Sequence, residues 1–293
     1  MSSNLICILG PTASGKTKYA VRAASAHMGE IISADSRQVY RGMDIGTGKD
    51  LNEYIHNGVA VPFHLIDIAE PGTKYNIFEY QRDFQKAYNS IIEAGRQPFL
   101  CGGSGLYIQT ATMGYELREV PPDPVLREEL EMESTEELIK RLSSMKALHN
   151  VSDTQSRKRL VRALEIAIYS QNCDTPSTEY APIKTRYIGM NVSREERNLR
   201  IDRRVKERLQ NGMVEEVQNL LKSGIPPEDL IYYGLEYKFL TLYLIGKLTF
   251  KEMESGLTTA IHQFAKRQMT WFRGMERRGI TIEWVDPESD FVV

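Results

Sequence analysis

Residues 4–17 read NLICILGPTASGKT, and this stretch decides the fold. The apolar run 4–9 predicts a buried β-strand, and residues 10–17 match the phosphate-loop pattern GxxxxGK followed by Ser or Thr, directly before a predicted helix. The two glycines allow successive backbone N–H groups to face a phosphate at the helix N-terminus, where the helix dipole also favours an anion. A lysine then adds positive charge, and a threonine hydroxyl is a Mg²⁺ ligand. The predicted diphosphate-binding residues are Gly10, Pro11, Thr12, Ala13, Ser14, Gly15, Lys16 and Thr17, with Thr17 as the Mg²⁺ ligand.

Short apolar runs alternate with longer amphipathic segments through the first hundred residues, which is typical of a parallel sheet with crossover helices. The segment VPPDP at 120–124 and the acidic residues around it indicate an inserted helical element. We predict an α/β fold, a P-loop NTPase-like parallel sheet flanked by helices with a small inserted helical domain. The catalytic core would span 1–114 and 186–293, and the insertion 115–185. Predicted strands are 4–9, 30–33, 64–68, 97–101, 185–190 and 280–285, and predicted helices include 15–28, 77–94 and 153–170.

The chain has 293 residues, enough for one large domain or for a core with an insertion. The sequence has no apolar run long enough to cross a membrane, so we expect no membrane partner. The N-terminus lacks the basic region and sustained apolar stretch of a signal peptide, and we expect a cytoplasmic protein. Cys7, Cys101 and Cys173 are widely separated, which argues against a disulfide framework or a zinc site.

The charge is near neutral in total but uneven along the chain. With 37 Lys and Arg against 39 Asp and Glu, the net charge of −2 argues against a general nucleic-acid binder. Residues 157–209, however, hold thirteen Lys and Arg against seven acids, and residues 116–140 hold nine acids against three basic residues. The basic stretch is either a solvated helix face or a surface for an anionic partner.

A carboxylate follows the second predicted strand, at Asp35. Because the carboxyl ends of parallel strands line the ligand crevice, Asp35 should lie near the phosphate loop, where it could accept a proton from a nucleophile. The alternative is an aspartate that only caps a turn. Asp67, in HLIDI at 64–68, is the best candidate for a carboxylate that completes the Mg²⁺ site.

Six stretches together resemble the tRNA dimethylallyltransferases, also called tRNA isopentenyltransferases, of the bacterial type. They are GPTASGKT at 10–17, IISADSRQVYRGMDIGTGK at 31–49, HLIDI at 64–68, GGSGLY at 102–107, KRLVRALEI at 158–166 and AKRQMTWFR at 265–273. The resemblance implies transfer of the dimethylallyl group from dimethylallyl diphosphate to N6 of the adenosine immediately 3′ of the anticodon. It also implies release of diphosphate, use of Mg²⁺ and no need for ATP.

The resemblance assigns roles to individual residues. Asp35 would be the general base, Thr12 and Lys16 would face the reacting groups, and Arg200 would reach the diphosphate. Arg204 matches a second family arginine, and solvated helix charge is the alternative for both arginines. Trp271 and Phe272 would be rings able to stack on RNA bases, although Trp271 could instead belong to the core. The residues implied to contact the tRNA anticodon stem-loop are Asp35, Ser36, Arg37, Gln38, Ser104, Lys158, Arg159, Leu160, Val161, Arg162, Lys266, Arg267 and Gln268.

Two departures from the family pattern concern these RNA contacts. His262 lies in a segment where the family usually has a Thr-Arg pair, and Leu235-Glu236 form an apparent insertion in a GYKE-like segment. Other functions left open are an adenylate isopentenyltransferase, a P-loop small-molecule kinase and a non-catalytic RNA-binding protein. We expect a monomer.

Overall fold

The computed structural model describes residues 4–145, 156–172 and 180–291, which divide into two compact units. The larger unit is Met1–Gly114 with Ala181–Val293, and the smaller is Tyr115–Tyr180. The strands are β1 Leu5–Leu9, β2 Gly29–Ser33, β3 Ile55–His56, β4 Val59–Ala60, β5 Phe63–His64, β6 Gln97–Gly102, β7 Thr185–Met190 and β8 Ile282–Val285. The helices are α1 Lys16–Ala26, α2 Ile77–Glu93, α3 Gly105–Met113, α4 Pro124–Met132, α5 Thr135–Met145, α6 Arg157–Asn172, α7 Arg194–Gln210, α8 Met213–Lys222, α9 Pro227–Tyr232, α10 Leu235–Leu244 and α11 Phe250–Arg277.

The larger unit is built on a six-stranded parallel sheet, ordered β5-β2-β6-β1-β7-β8. Every residue of β1 and β2 is buried, as expected for strands covered on both faces. The chain leaves β1 towards β2 on one side and later returns to β7 on the other, so the strand order reverses at β1. In open parallel sheets, ligands bind outside the carboxyl ends of the strands at this kind of reversal. The residues after β1 form the phosphate loop, as the sequence predicts.

Alternate residues of the strands face opposite layers of helices. Leu5, Cys7 and Leu9 pack with residues of α2, α3 and α11, whereas Ile6 and Ile8 pack with α1. This period of two is the expected result of the strand pleat. A third apolar cluster joins the segment after β2 to helices α7, α8, α9, α10 and α11. The predicted α/β parallel-sheet fold is therefore confirmed.

One predicted strand is mostly wrong. Residues 64–68 were expected to form a strand, but β5 ends at His64, and Leu65 and Asp67 have φ angles of 62° and 55°. The Asp67 N–H donates to Gln38 O at 3.1 Å, so this segment pairs with the loop after β2 instead of extending the sheet. The Asp67 carboxylate also pairs with the buried Lys49 ammonium. The segment thus makes an ion pair and a hydrogen bond to the chain before it, where local apolar residues suggested a strand.

Other boundaries agree within a few residues. The strand predicted at 280–285 begins at Ile282, and the helix predicted at 153–170 begins at Arg157, with residues 153–155 outside the described part. Cys173 and the loop 173–179 also lie outside it.

The smaller unit contains α4, α5 and α6 around its own apolar core. Asp123 caps α4 by accepting a hydrogen bond from Leu126 N at 3.0 Å, with Pro124 in the first helical position. Leu130, Leu138, Leu142 and Leu164 are fully buried between the three helices. The division of the chain falls at 114/115 and 180/181, near the predicted insertion limits 115 and 185. Within the described residues, no helix is long and apolar enough to cross a membrane.

Candidate active site

The phosphate loop has the geometry that its sequence predicts. Ala13 and Gly15 adopt left-handed conformations, with φ angles of 62° and 80°, which turn the chain sharply into α1. No side chain among the described residues caps the first turn of α1, so its N–H groups remain open to an anion. A Cβ atom on Gly10 would lie 2.5 Å from Ser14 Oγ and 3.1 Å from Met190 Cβ, which explains the requirement for glycine. Ser14 Oγ is buried and has no hydrogen-bond partner within the described part of the chain.

Lys16 and Thr17 begin α1 beside the carboxyl end of β6. Burial lowers the pKa of Lys16, and the nearby groups Cys101 and Asp35 oppose that shift. The Thr17 hydroxyl hydrogen-bonds the Cys101 thiol, whose pKa burial raises to about 12. Cys101 is therefore a neutral thiol at physiological pH, which leaves carboxylates such as Asp35 as the groups that offset the Lys16 charge.

Asp35 lies two residues after β2, at the same edge of the sheet. Its Oδ1 atom accepts a hydrogen bond from Arg37 N at 2.9 Å, which orients the carboxylate. Ala34 N donates to Cys101 O at 2.7 Å and ties the end of β2 to β6. The structure thus brings Asp35 into electrostatic range of Lys16, as the topology requires. Asp35 also caps a local turn, as the alternative interpretation of this residue expected, because its carboxylate accepts the Arg37 N–H.

Two arginines of α7 approach the phosphate loop in different ways. Arg204 Nη2 donates a hydrogen bond to Thr12 Oγ1. Burial lowers the pKa of Arg204 to about 10, so the side chain remains a cation at neutral pH. Arg200 Nε donates to Glu196 Oε1 at 2.7 Å, and its Nη1 lies 4.0 Å from the position of a Cβ on Gly15. Arg204 thus contacts the loop directly, and the diphosphate contact that the resemblance implies for Arg200 stays a prediction.

Gln268 connects three parts of the site. Its Oε1 accepts from Thr12 N at 2.8 Å, and its Nε2 donates to Gly103 O at 2.9 Å, so α11 holds the phosphate loop and the loop after β6 together. Sequence reasoning assigned Gln268 to RNA binding and missed this role. The available signal was periodicity, because Gln268 shares the buried face of α11 with Ala265 and Phe272.

Replacing Gln268 with leucine should destabilise the fold. The change leaves Thr12 N–H and Gly103 C=O without their partner, and we expect the free energy of unfolding to fall by about 1–3 kcal/mol. Urea unfolding followed by the fluorescence of Trp271 and Trp284 measures this. Gln263→Leu, at an exposed position of the same helix, is the matched control and should change stability by at most about 0.5 kcal/mol. Equal effects of the two substitutions would contradict the assigned role.

The other residues predicted to bind RNA after β2 and β6 lie near Asp35. Gln38 accepts from Ser33 Oγ and donates to Gly48 O, both at 3.1 Å, so its amide supports the loop 44–48. Ser104 precedes α3, and its backbone N–H donates to Ala34 O at 3.4 Å. Ser36 and Arg37, which lie between Asp35 and Gln38 in the chain, are half-buried. The structure therefore gathers these residues at one sheet edge.

The segment 158–162 is in the smaller unit and contains both buried apolar residues and exposed basic residues. Leu160 and Val161 are buried in its core, and the contact of this segment with RNA that the resemblance implies stays a prediction. They occupy the apolar face of α6, which must pack against α4 and α5. Arg162 pairs with the buried Glu165 and also donates to Val120 O at 2.8 Å. Lys158 and Arg159 are exposed, and their contact with RNA stays a prediction.

The other residues of α11 that were predicted to contact RNA lie partly at the surface and partly in the core. Lys266 and Arg267 are exposed, as a nucleic-acid contact requires. Phe272 is fully buried and packs near Trp284, so it is not a ring available for stacking on RNA. Trp271 is 39% exposed, and its Nε1 donates to Gln109 Oε1 at 2.8 Å.

Asp67, the candidate carboxylate for the Mg²⁺ site, is engaged in an ion pair. It is a counter-ion of Lys49, whose Nζ also donates to Tyr40 O at 2.6 Å and Asp44 Oδ1 at 2.7 Å. The described residues contain no cluster of three or more His, Cys, Asp or Glu side chains suited to hold a metal. His262, at the first departure from the family pattern, lies with Nε2 2.8 Å from Asp202 Oδ1 and so joins α11 to α7.

Comparison with known proteins gives matches that cover most of the chain. A family model described as IPP transferase matches residues 38–275, and one described as isopentenyl transferase matches residues 3–60. The tRNA dimethylallyltransferase 2 of Bacteroides fragilis is 59% identical over 283 residues, 97% of this chain and 92% of that protein. The crystal structure of the full-length tRNA isopentenylpyrophosphate transferase from Bacillus halodurans is 34% identical, with a TM-score of 0.71 over 99% of this chain and 92% of that one. A eukaryotic dimethylallyltransferase acting on tRNA shares the fold, at 22% identity and a TM-score of 0.76 over 98% of this chain and 74% of that one.

Proposed function

Because the chain belongs to the IPP transferase family, we propose that it transfers the dimethylallyl group from dimethylallyl diphosphate to N6 of the adenosine 3′-adjacent to the anticodon in tRNA. It is a transferase, and diphosphate is released. The observation that carries the proposal is the convergence of Lys16, Arg204 and Asp35 at the carboxyl edge of the sheet, around the phosphate loop. That arrangement provides cations for a leaving diphosphate and a carboxylate for the proton of the attacking nitrogen.

The diphosphate would be bound by the backbone N–H groups of the phosphate loop and by the uncapped N-terminus of α1. Lys16 and Arg204 would lie beside its oxygens as positive charges. Arg200 is close enough to Gly15 to add a third cation. The Ser14 hydroxyl, which has no hydrogen-bond partner among the described residues, is one further donor in the loop. Fixed positive charge in a partly buried site stabilises the negative charge that develops as the C–O bond breaks.

We propose that Mg²⁺ is held by the Thr17 hydroxyl. Mg²⁺ usually keeps several waters and is bound through one or two carboxylates together with substrate phosphates, and it needs no all-protein cage. The position fits, because the Thr17 hydroxyl lies at the start of α1 beside the phosphate loop, where the phosphates of the substrate would supply further oxygen ligands. The ion would supply additional positive charge to the leaving diphosphate.

In the reaction, the bond between C1 of the dimethylallyl group and the diphosphate oxygen breaks, and a bond between N6 and C1 forms. Asp35 would accept the proton that N6 loses, and diphosphate leaves with the electron pair of the broken bond. N6 cannot reach the sheet edge while the adenosine is stacked in RNA, so the base must be flipped out. The chain's own residues thus bind the leaving group on one side and receive the proton on the other.

The direct test uses radiolabelled dimethylallyl diphosphate, Mg²⁺ and either tRNA or AMP. We expect label in tRNA and none in AMP, because exposed cations such as Lys266 and Arg267 are features that a mononucleotide does not need. A tRNA with guanosine in place of the target adenosine is the matched control and should remain unlabelled. Label in AMP but not in tRNA would instead support an adenylate isopentenyltransferase. Light scattering and cell fractionation would test the expected monomer and the expected cytoplasmic location.

A further inference from the structure

Tyr232 presents its ring to solvent at the end of α9. The side chain is 43% exposed, although the residues beside it are anchored firmly. Tyr233 is buried, and its hydroxyl donates to Thr73 O and accepts from Gly72 N, both at 2.7 Å. Leu230 is buried in the same cluster of helices. The exposed ring is therefore held in position by its neighbours.

Two cations from different segments lie near this ring. The Arg37 guanidinium carbon is 5.3 Å from the ring centroid, and the Lys74 Nζ atom is 6.0 Å from it. Both distances are within the range of cation–π attraction. Lys74 also lies 3.5 Å from Asp229 Oδ1, which fixes it beside α9. The result is an exposed aromatic ring with two cations beside it, one of them paired with Asp229.

Arg37 connects this surface to the proposed general base. Its backbone N–H donates to Asp35 Oδ1, and its side chain passes along Gly234, where an added Cβ would lie 3.8 Å from Arg37 Nε. Gly234 has a φ of 136°, a conformation that strongly favours glycine. The α9–α10 turn thereby brings Tyr232 to the Asp35 end of the site.

We propose that Tyr232 stacks on a base of the RNA substrate next to the target adenosine, with Arg37 and Lys74 neutralising the adjoining phosphates. The inference rests on the proposed function and adds to it a specific binding residue. Unpaired RNA bases bind through stacking on aromatic rings and guanidinium planes, and the backbone binds to positive charge. The flipped adenosine leaves its neighbours unstacked, so an exposed ring near Asp35 can replace the lost stacking.

The test measures transfer kinetics with an anticodon stem-loop RNA for wild-type protein, Tyr232→Ala and Tyr232→Phe. We expect Tyr232→Ala to raise the KM for RNA by about 5- to 150-fold, while the KM for dimethylallyl diphosphate stays unchanged. Tyr232→Phe keeps the ring and should resemble wild type. The control is Phe250→Ala, which removes a ring that is 45% exposed at the start of α11.

The outcomes separate this inference from the proposed function. If wild-type protein transfers label to RNA and Tyr232→Ala has an unchanged KM for RNA, the stacking role is wrong and the function stands. An equal rise in KM for Phe250→Ala would also overturn the role, because it would not be specific to Tyr232. A wild-type protein that transfers no label to RNA would overturn both.

Discussion

The substitution Asp35→Asn is expected to lower kcat for tRNA prenylation by about 100- to 10,000-fold. Asparagine has nearly the same shape and can still accept the hydrogen bond from Arg37 N, so the turn after β2 should persist. What is lost is the ability to accept the N6 proton. Binding of tRNA and of dimethylallyl diphosphate should therefore be largely retained, and single-turnover assays with parallel binding measurements would show the difference.

A second carboxylate provides the control for this experiment. Asp83 on α2 is partly buried and pairs with Arg82 at 2.9 Å and Tyr75 at 3.2 Å, so Asp83→Asn also removes one negative charge from the larger unit. It should leave kcat close to the wild-type value, because the proposed mechanism gives it no role. Near-normal turnover of Asp35→Asn would reject Asp35 as the base.

Local sequence was sufficient for the parts of the fold that depend on nearby residues. The run 4–9, the phosphate loop and the following helix were predictable because the strand, the turn and the helix start all have their own local signals. The strand 185–190 was predicted with its observed limits. The two-residue strands β3 and β4 were not predicted, because periodicity cannot be detected over so few residues.

The candidate site was less predictable where tertiary contacts decide a residue's role. A sequence shows that 158–162 and 266–268 are rich in cations, and periodicity indicates the inward face of each helix, but it does not show which loops and helices that face contacts. Leu160, Val161 and Gln268 are buried by such tertiary contacts. The basic stretch 157–209 also pairs extensively within the chain, for example through Arg157 with Glu131 and Arg208 with Asp50. Its net charge therefore exceeds the charge that is available to a partner.

The second large effect is expected for Arg204→Met, which should lower kcat/KM for dimethylallyl diphosphate by about 100- to 1,000-fold. Arg204 contacts Thr12 in the phosphate loop and remains charged, with a pKa that burial lowers to about 10. Methionine fills similar space without the charge or the donors. Arg204→Lys should recover part of the activity, because lysine keeps the charge but loses the planar fork of donors.

Two variants on the same helix test whether the loss of kcat/KM in Arg204→Met depends on the position of Arg204 or only on the removal of one positive charge. Arg203→Met removes a side chain that is 72% exposed and 3.7 Å from Glu207, and it should leave the kinetics unchanged. Arg200→Met should have an intermediate effect, since Arg200 lies beside Gly15 but is held by Glu196. Calorimetric titration with Mg²⁺ and inorganic diphosphate would measure the affinity of the loop directly. If Arg204→Met and Arg203→Met bind diphosphate equally well, Arg204 does not act on the leaving group, and its contact with Thr12 only positions the loop.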